Sequence, residues 1–148
     1  MKKNKVKDKK ILIIGGAGFI GHNLALKLKE IGADVCIIDG LIINNLYSLE
    51  KNENKLPYPK LAMKILNERQ KLLKKARVPL HIEDARKYNE LSALVNVIKP
   101  KVVIHLAAVS HANRSNKDPH STFDHSLRTL ENALDNVKNN VEHFIFLS

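Results

Sequence analysis

A chain of 148 residues, 44% of them hydrophobic, is one domain's worth of sequence and long enough to bury a sizeable core. Its formal net charge of +10 suits a polyanion partner, but the basic clusters (Lys2 to Lys10, Lys64 to Arg77) lack interleaved aromatics, zinc spacing or any nucleic-acid motif, so a solvated surface is expected, with no nucleic-acid or metal site. No apolar run approaches the ~20 residues that span a bilayer, and the first one stops after four, too short for a secretory signal, so a cytoplasmic location is expected.

Residues 1–9 read as a charged lead-in. Ile11 to Ile14 are four consecutive branched apolar residues, the pattern of a short strand buried on both faces. Glycines then break the chain before an amphipathic helix, Phe19 to Ile31, which Gly32 closes. Gly16, Gly18 and Gly21 fit G-x-G-x-x-G, while Gly15, Gly18 and Gly21 fit G-x-x-G-x-x-G. Either triplet suits a dinucleotide: a turn with φ > 0, backbone N–H groups free to approach a diphosphate, and a helix seated close on its strand. The competing reading is a tight strand-to-helix turn with no ligand.

The second strand, Asp34 to Ile38, ends at Asp39, about twenty residues past the glycines, where the dinucleotide fingerprint places an acid on the adenosine ribose. A carboxylate there repels a 2′-phosphate, and no arginine follows Asp39 to reverse the preference, so NAD is favoured over NADP. The single cysteine, Cys36, lies inside this strand and reads as core filler. Gly40 to Pro59 is polar and long, an excursion over the carboxyl edge of the sheet that is helical around Leu46 to Lys51. Leu61 to Ala76 is a basic amphipathic helix, Pro79 to Ile82 a short third strand, and Tyr88 to Ile98 a helix stopped by Pro100. Lys101 to Leu106 is the fourth strand, Pro119 opens a long helix to about Lys138, and Glu142 to Leu147 is the fifth strand. Strands alternating with helices give an α/β, Rossmann-type, doubly wound parallel sheet of five strands, order 3-2-1-4-5, with helices on both faces.

With these residues in place, the chain resembles the extended short-chain dehydrogenase/reductase superfamily, specifically its NAD-dependent nucleotide-sugar epimerases and dehydratases. Gly15-Gly16-Ala17-Gly18-Phe19-Ile20-Gly21 looks like that family's glycine motif. His105-Leu106-Ala107-Ala108 is similar to its signature at the end of strand four, and Phe144 to Ser148 looks like its fifth strand leading to the catalytic serine or threonine. The resemblance implies that Gly15, Gly18 and Gly21, with Phe19 and Ile20, hold the diphosphate and that Asp39 takes the adenosine ribose. It places Asp84 and Ala85 on the adenine, lines the cofactor with Leu106, Ala107 and Ala108, and sets Ser110 and His111 toward the nicotinamide and substrate. His105 is read instead as a packed strand-end histidine with a satisfied hydrogen bond.

The resemblance also implies a tyrosine three residues before a lysine on a helix after strand five, the pair that exchanges a proton with the sugar hydroxyl while hydride moves to the cofactor. Ser148 falls at or beside the catalytic serine or threonine, so residues 10–148 are expected to be an NAD-binding domain incomplete at its C-terminus and inactive alone. The one Tyr-x-x-x-Lys present, Tyr47 to Lys51, follows strand two and reads as a decoy. His125 or Asp124 stands where the family usually has an asparagine, and Arg128 where a small residue is usual. A nucleotide-sugar substrate and a homodimer are expected of the complete enzyme; the alternative is a non-catalytic NAD-binding or sensing module.

Overall fold

The computed structural model describes residues 5–43, 45–47, 49, 57–109 and 112–147. Strand β1 (Lys10–Ile14) sits at the centre of a parallel sheet, flanked by β2 (Asp34–Ile38) on one side and β4 (Val102–His105) on the other. The two-residue β3 (Leu80–His81) lies outside β2 and β5 (His143–Phe146) outside β4, giving the order β3-β2-β1-β4-β5.

The apolar runs are buried on both faces because alternate residues serve two different cores. Leu12 and Ile14 point with Cys36, Ile38 and Val103 toward helices α3 (Tyr88–Ile98) and α6 (Thr129–Val137), which contribute Leu91, Val95, Ala133 and Val137. Ile11 and Ile13 point the other way, with Val35, Ile37 and Ile104, toward α1 (Phe19–Glu30) and α2 (Pro59–Lys75), which contribute Ala25 and Leu73. Cys36 is buried as expected, and burial, with the Asp34 charge adding to it, pushes its thiol up to about 12.

The helix stops follow the sequence. Gly32, at φ +92, lies just beyond α1, and α3 spans the expected residues and ends at Lys99 in the left-handed conformation, one residue before Pro100. The long helix after β4 departs from expectation. It opens at Pro119, with the Asp118 carboxylate accepting from the Ser121 N–H, but runs as α5 (Pro119–Phe123), a π-helical turn over Asp124–Arg128, and then α6. Within that turn the Thr129 hydroxyl lies 3.0 Å from the His125 carbonyl and 3.1 Å from that of Ser126, a local bond that competes with the regular helical ladder. A further short helix, α4 (Ala112–Lys117), precedes it. The sequence pattern does not signal it.

Candidate functional site: a cleft at the carboxyl end of the sheet

The register sets Ile14, Ile38 and His105 side by side, so β1, β2 and β4 end level and deliver the segments after them to one edge. Connections leave the sheet in opposite directions on either side of β1, which opens a crevice there. A cleft of about 670 Å³ occupies it. Gly15, Gly18, Phe19, Ile20 and Gly21 line it from the first turn, Asp39 from the end of β2, Asp84 and Ala85 from beyond β3, and Leu106, Ala107 and Ala108 from beyond β4. Ser110, His111 and Ser148 lie outside the described residues.

The four glycines of the turn have different reasons to be glycine. Gly15 takes φ +79, and a Cβ on it would stand 2.6 Å from the Ala107 nitrogen, so the turn needs both the conformation and the space. A Cβ on Gly21 would meet the Gly16 backbone at 2.5 Å, and one on Gly16 would meet the Ile37 side chain at 2.8 Å. Gly18 is unlike them: its φ is −72°, and a Cβ there would find its nearest neighbour at 3.7 Å, an ordinary contact. Close packing excludes a side chain at Gly15, Gly16 and Gly21, whereas at Gly18 no packing contact excludes one and its absence keeps the cleft open. Gly18 is also the N-cap of α1, with no side-chain cap and no acid in the first turn, so no side chain compensates the positive end of the helix dipole there.

Asp39 braces this turn. Its carboxylate accepts from the Ala17 N–H at 2.9 Å and the Leu41 N–H at 2.8 Å, and burial raises its pKa against the lowering effect of those two bonds. Asn45, buried beyond it, donates to the Ala17 carbonyl at 3.3 Å. The loop after β2 thus folds back and grips Ala17 from both sides. Its opening is more buried than its polarity predicts, with Leu41 1% exposed at φ 55°. Leu46, Tyr47 and Leu49 are helical, as expected there; Lys51 lies outside the described residues, and Tyr47 does not line the cleft.

On the adjacent side, Asp84 lies against Gly40 and is held by Arg86, whose Nε and Nη2 reach its carboxylate at 3.0 and 2.6 Å. Desolvation pushes the Asp84 carboxyl up, but the bonds from Arg86 outweigh it and the net shift is downward. Arg86 also gives Nη1 to Asp124 in the π-helical turn at 2.8 Å, and buried Asn132 donates to the carbonyls of Ala85 and Arg86 at 3.0 and 2.9 Å. At the far side the π-helical turn brings the Ser126 hydroxyl to accept from the Val109 N–H at 3.2 Å, and His125, Thr129 and Leu147 complete the wall.

One residue went unread and one expectation needs correction. Arg69, on α2 and thirty residues beyond Asp39, lines the cleft with its guanidinium 5.7 Å from the centre of the Phe19 ring. Sequence distance concealed it, because the helix folds back beside α1. His105 is buried as packing requires, between the rings of Phe144 and Phe146, but neither imidazole nitrogen has a hydrogen-bond partner among the described residues. Burial lowers its pKa to about 4, so the ring is neutral near pH 7.

Residues 11–148 match the model of the NAD dependent epimerase/dehydratase family. Protein CapI of Staphylococcus aureus is 30% identical over 94% of this chain and 37% of its own length. The UDP-glucose 4-epimerase of Lacticaseibacillus casei is 27% identical over 78% of this chain and 28% of its own. Among solved structures, a UDP-glucose-4-epimerase from Stenotrophomonas maltophila with bound NAD and formylated UDP-arabinopyranose superposes with a TM-score of 0.71 at 22% identity. It aligns with 93% of this chain and 36% of its own, and Bordetella bronchiseptica WbmF in complex with NAD+ and UDP gives a TM-score of 0.69 at 20% identity, over 96% and 36%. The chain therefore spans between 28% and 37% of the length of these proteins. With the match extending from the first strand of the sheet to Ser148, the chain belongs to the NAD dependent epimerase/dehydratase family.

Proposed function

We propose that this chain is the dinucleotide-binding part of a nucleotide-sugar epimerase or dehydratase and that the 670 Å³ cleft takes NAD. The observation that carries the reading is Gly18, the one glycine of the turn whose missing side chain no packing contact demands and which opens onto the cleft. A diphosphate fits there because the uncapped first turn of α1 offers N–H donors and a favourable dipole. Asp39, oriented by two amides, keeps lone pairs for the ribose hydroxyls, and Asp84 stands where the adenine amino group would reach it. Leu106 to Ala108 supply a close backbone wall. NAD, when bound, supplies a hydride acceptor for a sugar hydroxyl.

The groups that line the cleft bind and orient. Tyr47 opens the one Tyr-x-x-x-Lys in these residues and does not line the cleft, so on this reading it takes no part in proton transfer. Isothermal titration with NAD tests this reading: binding that Gly18→Val abolishes while the unliganded variant still folds, its melting temperature lowered only by the poorer N-cap, supports it. A folded wild-type chain that binds neither NAD nor NADP overturns it.

A further inference from the structure

Helix α2 carries Lys60, Lys64, Arg69, Lys71, Lys74 and Lys75, and of these Arg69 alone lines the cleft. Its neighbour Glu68 pairs with Lys71, and among the described residues no carboxylate pairs with Arg69. The other fully charged groups of the lining are Asp39, Glu83 and Asp84. Glu83 has Lys87 at 3.0 Å and Asp84 has Arg86, while the Asp39 carboxylate is held by two amide N–H groups rather than by a cation. Arg69 is the cation left over. Its partner in the fold is the ring of Phe19, 71% exposed and the first residue of α1. Stacking of this kind orients a guanidinium while leaving its N–H edge open to an anion.

Resting on the dinucleotide reading above, we propose that Arg69 is the phosphate-binding cation of the cleft and takes a phosphate of the cofactor's adenosine half. A phosphate in that half has two sources. One is the diphosphate bridge common to NAD and NADP; the other is the 2′-phosphate of NADP, which would give the site a tolerance that Asp39 by itself denies. Arg69 is the residue suited to either because its planar fork takes two phosphate oxygens at once.

The test titrates the chain and its Arg69→Gln and Arg69→Lys variants with NAD, NADP, ADP, 2′,5′-ADP and adenosine at two salt concentrations. Loss of about tenfold in affinity for NAD, NADP and ADP alike, with adenosine unchanged, assigns the diphosphate; tenfold is ~1.4 kcal/mol. Loss confined to NADP and 2′,5′-ADP assigns the 2′-phosphate. In both cases Arg69→Lys retains part of the affinity and Arg69→Gln lessens its salt dependence, which a purely structural role would not do. Equal affinities for all five compounds in wild type and Arg69→Gln overturn the proposal while leaving the dinucleotide reading intact. Failure of the wild-type chain to bind either dinucleotide overturns that reading, and this inference with it.

Discussion

The Asp39 carboxylate accepts a hydrogen bond from the Ala17 N–H at 2.9 Å, joining the end of β2 to the middle of the glycine turn. The residue placed by its spacing on a cofactor's ribose therefore also holds the loop that would carry the diphosphate. Asp39→Ala leaves two amides without their acceptor and should destabilise the unliganded chain by on the order of 2 kcal/mol. Urea unfolding without ligand measures this; an unchanged midpoint would show the brace to be inert. Burial holds the carboxyl above its ordinary pKa of 3.8. As pH falls toward that raised value the folded chain takes up a proton before the unfolded one, so wild type should gain stability relative to Asp39→Asn in this window.

The glycines should separate by substitution. Gly15→Ala and Gly21→Ala force a Cβ against backbone at 2.6 and 2.5 Å and should lower the melting temperature or prevent folding. Gly18→Ala meets nothing closer than 3.7 Å, so its cost is confined to the poorer N-cap, about 1 kcal/mol or less, yet it should weaken dinucleotide binding. Thermal melts with and without NAD distinguish these effects, and a Gly18→Ala melt as low as that of Gly15→Ala would refute the division of roles.

Acid should destabilise the fold through His105. Its pKa is lowered from 6.5 to about 4 by burial, so the unfolded chain takes up a proton first as pH falls below 6.5. Stability is full above that value and declines toward pH 4, by roughly 3 kcal/mol if His105 acts alone. Because neither ring nitrogen has a partner among the described residues, His105→Leu removes no hydrogen bond that these residues supply. Urea midpoints at pH 7 and pH 5 should differ less in His105→Leu than in wild type; an identical pH slope would exclude this histidine as the source.

Arg86 ties the loop beyond β3 to the π-helical turn through Asp84 and Asp124. Arg86→Met leaves two partly buried carboxylates without their shared counterion and should cost about 1–3 kcal/mol. The Asp84 carboxyl, held low by Arg86 against desolvation, should rise in the variant. Titration of the Asp84 carboxyl carbon by NMR checks this, with no shift expected if the fork were only a surface contact.

How much was readable in the one-dimensional pattern depended on how local its cause is. The branched run Ile11 to Ile14, the stop at Gly32, the stop before Pro100 and the N-terminal proline at Pro119 each act within a few residues, and the structure follows them. Sheet order followed because right-handed crossovers leave few topologies for alternating strands and helices. Gly15 and Gly18 look identical on paper, however, and what separates them is Ala107, which β4 delivers against Gly15 and not against Gly18. Asn45 and Asn132 read as ordinary polar residues until folding buries them against the Ala17, Ala85 and Arg86 carbonyls.

The sequence by itself determined the alternation of strands and helices, the glycine turn after β1 and the acid beyond β2, since periodicity, glycine conformation and spacing are properties of neighbouring residues. Only the tertiary structure decided that Asp39 grips Ala17, that the helix after Asp118 widens into a π-helical turn, and that Arg69 reaches the cleft over Phe19. The first and last of these join residues far apart in the chain, whose contact exists only once packing has closed the distance, and the turn is tied by Arg86 and Val109 to segments remote from it in sequence.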